Sequence, residues 1–249
     1  VVVGGETDDA DVKADFLASE VKLQRVDTAT DGAFIGITLA DLTAENIDRI
    51  KALKDVILVA SSSHANPVGE LRAIVHKLVN EAVSAPVIIR RIYDEVSVET
   101  LRLKAAADLG VLLIDGLVDG LWLENPSSSA EELNAIMFGI LQATRARISK
   151  TEYIACPGCG RTMYDLQGTL ARIKAATAHL KGLKIGVMGC IVNGPGEMAD
   201  ADYGYVGAAA GRITLYKGRE IVERNIPQEE AIDRLIELIK ANGDWQEPA

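Results

Sequence analysis

The chain has 249 residues, is 48% apolar and 25% charged, and carries a net charge of −10. This composition is typical of a globular domain protein, and the acidic balance argues against a broad surface for nucleic acid or anionic membranes, although it allows a small basic pocket. No apolar run approaches the ~20 residues of a membrane span. The chain begins with Val1 and acidic residues instead of a signal peptide. We expect a cytoplasmic protein, and a processed or cut piece of something longer.

In the first half, short β-branched runs alternate with amphipathic helical patterns. Strands are predicted over 22–26, 33–37, 56–60, 86–92, 110–115 and 121–124, and helices over 43–53, 68–82, 97–109 and 128–144. Thr43 and Ser129 are predicted helix N-caps, and Glu132 completes a capping box with Ser129. The alternation predicts βαβ units and a parallel sheet. About six strands are few for a closed eight-stranded barrel, and the pattern does not separate an incomplete barrel from an open doubly wound sheet.

The pattern changes near Arg145-Ala146-Arg147. Strands are predicted over 152–155, 184–188 and 203–206, followed by a hairpin that turns at Lys217-Gly218. Helices are predicted over 162–180 and from Pro227 to about residue 241, because proline is tolerated in the first turn of a helix. The fold class is therefore α/β: a partial TIM-barrel-like βα module over 1–145, followed by an α+β domain over 146–249.

The chain has three cysteines, Cys156 and Cys159 in a CPGC motif and Cys190 further on. An odd number with one CxxC pair indicates reduced thiols. Both segments follow a predicted strand, so the thiols emerge at similar places, and the helix after CPGC favours thiolate charge. The segment 193–196, Asn-Gly-Pro-Gly, is not expected to continue a strand or a helix, and its glycines let the backbone pass close to a bulky cofactor. Glu197 is then placed to supply a fourth ligand.

Other interpretations of these residues stay open. A CxxC motif with one further cysteine is often a structural zinc site with a histidine as fourth ligand, although His179 lies near the far end of the predicted 162–180 helix. CxxC between a strand and a helix is also typical of a thiol–disulfide oxidoreductase, which leaves Cys190 unexplained. A non-catalytic, zinc-stabilised binding domain and a dithiol enzyme are therefore the alternatives to a redox cluster.

The cysteine segments together resemble one family. YIACPGCGRT at 153–162 and MGCIVNGPGE at 188–197 are similar to 4-hydroxy-3-methylbut-2-enyl diphosphate synthases, which act in the methylerythritol phosphate route to isoprenoids. The continuation MADADYGYVG at 198–207, with GLVDG at 116–120 and KTEY at 150–153, resembles the plant and Bacteroidetes-type branch with three domains. The resemblance is strong over about 110–249 and weaker before that.

The resemblance implies an iron–sulfur oxidoreductase that contains a [4Fe-4S] cluster. The implied cluster ligands are Cys156, Cys159, Cys190 and Glu197. The implied reaction is a two-electron reduction of 2-C-methyl-D-erythritol 2,4-cyclodiphosphate that opens its ring and expels water, with ferredoxin or flavodoxin as electron donor. Glu197 would give up its place on iron to a substrate oxygen, and Asn193 would hydrogen-bond that oxygen. Both are expected to be catalytic.

Three arginines are expected to bind the substrate. Arg161 is a candidate for diphosphate or cluster charge, and Arg147 and Arg145 are weaker candidates. Members of the family begin with an amino-terminal TIM barrel that carries most of the diphosphate pocket, and this barrel is missing here. Residues 1–145 resemble instead the tail of the structural insert barrel, so we expect a carboxyl-terminal portion without turnover of its own. A plant or algal source would place it in the plastid stroma.

Overall fold

The computed structural model describes residues 1–247. The chain divides into two compact units, Val1–Arg147 and the residues from Ile148 onward, which we call unit 1 and unit 2. Each unit has its own hydrophobic core and is described separately. No helix among the described residues is both long enough and apolar enough to cross a lipid bilayer.

Unit 1 consists of short parallel strands joined largely through helices. Its described strands are β1 (Val2–Gly4), β2 (Phe16–Leu17), β3 (Leu23–Gln24), β4 (Phe34–Ile37), β5 (Ile57–Ala60), β6 (Val87–Ile92) and β7 (Gly120–Glu124). Its helices are α1 (Ala44–Ala52), α2 (Pro67–Asn80), α3 (Val98–Ile114) and α4 (Ala130–Ala143). Thr43 caps α1 by accepting a hydrogen bond from the Asn46 N–H, and Ser129 and Glu132 form the predicted capping box of α4.

The sheet of unit 1 is barrel-like. Its strand order is β2-β1-β7-β6-β5-β4-β3, a cyclic order without the reversal that marks a doubly wound sheet. The edge strands β2 and β3 are consecutive in the chain, and the rings of Phe16 in β2 and Phe34 in β4 lie edge to face with centroids 5.1 Å apart. The sheet is therefore curled, and the predicted fold class, a partial barrel-like module followed by a second domain, is confirmed.

Both faces of this sheet are covered. Alternate strand residues such as Val2, Leu58 and Leu121 belong to the large core shared with the helices. The intervening residues form a second, inner core of Val3, Val59, Ile88 and Trp122. Burial on both faces explains the near-continuous apolar runs that identified these strands in the sequence.

One predicted strand of unit 1 is wrong. Residues 110–115 form the end of α3, where Leu109, Leu112 and Leu113 are buried. A short apolar run fits a buried helix as well as a buried strand, so its periodicity does not decide between them. Strands β1 and β2 were not predicted, because runs of two or three residues carry too little pattern.

Unit 2 is built on a five-stranded mixed sheet. Its described elements are β8 (Glu152–Ala155), α5 (Leu166–Thr177), β9 (Lys184–Met188), α6 (Gly194–Glu197), β10 (Tyr203–Ala209), β11 (Arg212–Lys217), β12 (Glu220–Pro227) and α7 (Ala231–Ala241). Strands β8, β9 and β10 are parallel, and β11 and β12 continue the sheet as an antiparallel hairpin. Buried residues of α5 and α7, including Ile173 and Leu235, share one core with Tyr203 and Tyr205 of β10.

Two helix starts differ from the prediction. Helix α5 begins at Leu166 with Asp165 as its N-cap, because Thr162 hydrogen-bonds to the CPGC loop instead of starting the helix. Pro227 ends β12, and α7 begins only at Ala231. The β12 pairing extends to Pro227, opposite Arg212, so proline here occupies the end of an edge strand, where its missing N–H is also tolerated.

Two helix ends in unit 1 offer a matched test of backbone strain. Helices α2 and α3 both end in a Schellman motif, whose left-handed residue is Ala82 (φ 54°) in α2 and Gly116 (φ 66°) in α3. Alanine is strained in this region, whereas glycine is not. We expect Gly116→Ala to lower the free energy of unfolding by about 1 kcal/mol and Ala82→Gly to raise it by about 0.5 kcal/mol.

Urea denaturation of the two variants, followed by circular dichroism, measures both changes. Both residues are exposed, so neither substitution alters a packed core. If both substitutions raised, or both lowered, the free energy of unfolding, the strain argument would be contradicted.

Candidate metal centre

The two cysteine segments are brought together by the pairing of β8 with β9. These strands are parallel, with Ala155 opposite Val187. Cys156 follows β8 directly, its backbone N–H donates to the Val187 carbonyl at 3.2 Å, and Cys190 follows β9 after Gly189. The carboxyl ends of parallel strands meet at one edge of a sheet. The two segments are therefore close in space at this edge although they are far apart in the sequence.

A cavity of about 150 Å³ lies between the two segments. It contains every predicted cluster ligand together with Arg161 and Asn193. The lining residues are Cys156, Pro157, Gly158, Cys159, Arg161, Cys190, Asn193, Gly194 and Glu197. Three thiols and one carboxylate therefore face a common space.

The three cysteines are free thiols that differ in exposure. Cys190 is buried, Cys156 is half-buried and Cys159 is exposed. The Gly158 N–H donates to the Cys156 sulfur at 3.3 Å. Backbone hydrogen bonds from Asn193 and Val192 lower the pKa of Cys190 from its ordinary value. Backbone donors of this kind favour the thiolate, which is the form that binds metals.

Arg161 adds positive charge to the cavity. A hydrogen bond to the Cys159 sulfur, together with the charges of Cys159 and Cys190, raises the pKa of Arg161 above its ordinary value. The guanidinium therefore interacts with a sulfur from each of the two segments. An always-charged donor in this place stabilises negative charge inside the cavity, whether that charge belongs to thiolates, a cluster or a bound anion.

Thr162 connects the two segments and was not singled out from the sequence. Its hydroxyl accepts a hydrogen bond from the Cys159 N–H at 3.2 Å, and its own N–H donates to the Cys159 carbonyl at 2.9 Å. A Cβ atom on Gly189 would lie 2.5 Å from the Thr162 hydroxyl, so this glycine is required for the close contact. The signal in the sequence is a threonine three residues after Cys159, a spacing typical of side-chain to backbone turns.

The segment before Glu197 was predicted not to be helical, and this prediction is wrong. Residues Gly194–Glu197 form a single helical turn, in which the Glu197 N–H donates to the Asn193 carbonyl at 3.0 Å. Pro195 fits the first turn of a helix because no partner is needed for its missing N–H. The turn brings Glu197 to the cavity.

The other predicted residues lie elsewhere. In unit 1, Arg147 pairs with Asp15 at 2.7 Å and lies over the Phe138 ring, and Arg145 has a φ of 59° just after α4. Neither arginine lines the cavity, so a substrate contact by Arg145 or Arg147 stays a prediction. His179, the histidine considered for zinc, packs against Trp245 with ring centroids 4.9 Å apart and does not line the cavity.

The donor set indicates which kind of group the cavity could hold. Among residues 1–247, no three side chains of histidine, cysteine, aspartate or glutamate come close enough together to hold one metal ion. The donor set of three soft sulfurs and one carboxylate, with backbone N–H groups aimed at sulfur, fits an iron–sulfur cluster.

Comparisons with known proteins agree with this arrangement. Residues 152–241 match the family model described as GcpE protein C-terminal domain. The chain is 58% identical over 92% of its length to 4-hydroxy-3-methylbut-2-en-1-yl diphosphate synthase (flavodoxin) of Parabacteroides distasonis, and covers 38% of that protein. Relatives with the same name are 56% identical over 86% of the chain in Porphyromonas gingivalis and 45% identical over 85% in Protochlamydia amoebophila.

The chain covers 37% of the Porphyromonas gingivalis relative and 32% of the Protochlamydia amoebophila relative. It therefore spans about a third of the length of these curated relatives. The match nevertheless extends over both units, well beyond the cysteine segments. Residues 152–241 thus belong to the GcpE carboxyl-terminal domain family, and the chain as a whole is similar to a part of the 4-hydroxy-3-methylbut-2-en-1-yl diphosphate synthases.

Proposed function

We propose that unit 2 is the cluster-bearing, electron-receiving part of an enzyme that reduces 2-C-methyl-D-erythritol 2,4-cyclodiphosphate to an allylic diphosphate. The observation that carries the proposal is the convergence of three thiols and Glu197 on one cavity. A [4Fe-4S] cluster held by Cys156, Cys159, Cys190 and Glu197 would supply electrons and Lewis acidity to the substrate. The relatives are named as flavodoxin enzymes, which supports flavodoxin over ferredoxin as the electron donor.

The chain's own residues have distinct parts in this proposal. The backbone N–H groups near Cys190 and Cys156 stabilise sulfur charge. Arg161 offsets negative charge in the cavity and is placed to contact a diphosphate. Asn193 and Glu197 are exposed at the cavity, so they are accessible to a substrate oxygen. We propose that residues 1–147 have a structural role, and that turnover requires parts of the longer relatives that this chain does not match.

The metal content of the chain tests this proposal against the alternatives. Anaerobically reconstituted protein is expected to be brown and to contain roughly four iron and four sulfide per chain, the composition of the proposed cluster. Cys190→Ser should lower the iron content at least about tenfold, since it removes a ligand. Visible absorbance and elemental analysis measure both. A colourless protein with one tightly bound zinc would support the zinc-stabilised domain instead.

A thiol–disulfide oxidoreductase would behave differently in the same experiment. It would use only the CxxC pair, so Cys190→Ser would keep full dithiol cycling. Titration of free thiols before and after oxidation measures that cycling in the metal-free chain. Retained cycling in Cys190→Ser, together with no iron binding by the unsubstituted chain, would contradict the cluster proposal.

Glu197 tests the fourth position of the cluster. We expect Glu197→Ala to assemble a cluster on the three cysteines that loses about one iron of four on mild oxidation, because one corner lacks a protein ligand. In a synthase of the relatives' full length, the same change should lower kcat at least about tenfold. Glu223→Ala, on the exposed face of β12, is the matched control. Unchanged iron content and unchanged kcat would remove Glu197 from both roles.

A further inference from the structure

Met198 follows Glu197 and points away from the cavity. Its side chain is 1% exposed, whereas Glu197 is exposed. It belongs to a small core with Met188, Val206 and Tyr216, separate from the main core of unit 2. Two consecutive residues thus face opposite ways, one toward the candidate metal centre and one into the protein.

The space occupied by Met198 is made by two glycines, Gly186 of β9 and Gly204 of β10, which face each other in the parallel register. We call this pair the glycine slot. A Cβ atom on Gly186 would lie 2.7 Å from the Met198 Cβ and 2.8 Å from its Sδ, and a Cβ on Gly204 would lie 2.5 Å from the Sδ. Any side chain at either strand position would therefore displace Met198. The slot suits an unbranched side chain such as methionine.

The backbone around Met198 is fixed as well. Its N–H donates to the Gly194 carbonyl at 3.0 Å, which closes the helical turn, and its carbonyl accepts from the Ala201 N–H at 2.8 Å. At the start of the turn, a Cβ on Gly194 would lie 2.7 Å from the Met188 Cβ. The turn is thus packed closely against β9 at both ends, while Ile191 and Val192 in the preceding stretch are 50% and 65% exposed.

We infer that Met198 is a positioning residue for Glu197, because its side chain in the glycine slot fixes the backbone that presents the carboxylate to the cavity. The inference rests on the proposed role of Glu197 as a ligand. A carboxylate that must leave and return needs a backbone that stays in place, so that only the side-chain torsions change. Three thiolates without this fixed turn would still hold a cluster, but its fourth corner would lack a reliable ligand.

The first test uses iron retention. We expect Met198→Ala to assemble a cluster and to lose about one iron of four on mild oxidation, as expected for Glu197→Ala. The double variant should lose no more iron than either single variant, because both remove the same ligand contact. Met163→Ala, at a methionine that is 49% exposed, is the matched control and should retain its iron. Full iron retention by Met198→Ala, or additive losses in the double variant, would overturn the inference.

The second test does not need a cluster. The metal-free chain is used. Hydrogen exchange of the backbone amides at positions 197 and 198 should be at least about tenfold faster in Met198→Ala than in Met163→Ala, because the turn is no longer fixed. Exchange within β9 and β10 should be unchanged. Met198→Leu keeps the volume but branches inside the slot, so it serves as a second variant if the alanine variant fails to fold, and it should also accelerate exchange at the turn.

These outcomes separate the two proposals. If the unsubstituted chain binds no cluster but the turn shows the expected exchange, the proposed function fails and the packing role of Met198 stands. If the cluster forms and exchange at the turn is the same in the Met198 and Met163 variants, the proposed function stands and the inference is wrong. Gly204→Ala provides an independent check, because it displaces the Met198 sulfur without changing the loop sequence.

Discussion

The parallel pairing of β8 with β9 is the interaction on which the candidate metal centre depends. The register of this pairing fixes where each cysteine segment leaves the sheet relative to the other. It runs from Glu152 opposite Lys184 to Ala155 opposite Val187. A slip by one residue would reverse the faces of the strand and bury the wrong side chains. Thr162 then joins the segments beyond the ladder. The strand register thus places the two segments beside each other, and the loop contacts then shape the cavity between them.

The centre is open on one side and closely packed on the other. Its front carries the exposed Cys159 and Glu197, whereas Met188 and Met198 fill the space behind it. This division suits a site that must admit a substrate and keep its ligands in place. The overall charge of −10 gives no hint of an anion-binding site. The local positive charge comes from Arg161 and from backbone N–H groups, which contribute little or nothing to a whole-chain count.

Much of this could be predicted from the sequence, because the relevant signals are local. The caps at Thr43 and Ser129 and the turn at Gly218 depend on neighbouring residues, and all three are confirmed. Six of the nine residues that line the cavity were also predicted as site residues, although their roles were inferred through a family resemblance. The contacts that a local pattern does not encode were missed. The glycine slot joins residues of two strands to a distant loop, and the α3 terminus is apolar because unit 1 buries it.

The cyclic strand order of unit 1 has a consequence for biosynthesis. Strand β1 precedes the other described strands of unit 1, yet its ladder partner β7 lies at the far end of the unit, with Val2 opposite Leu121. Among the described strands, β1 has the two-residue strand β2 beside it while the residues up to β7 are synthesised. Long-range pairing of this kind delays folding and leaves apolar strand edges exposed to other nascent chains. The described sheet of unit 1 is therefore completed only when β7 becomes available to pair with β1.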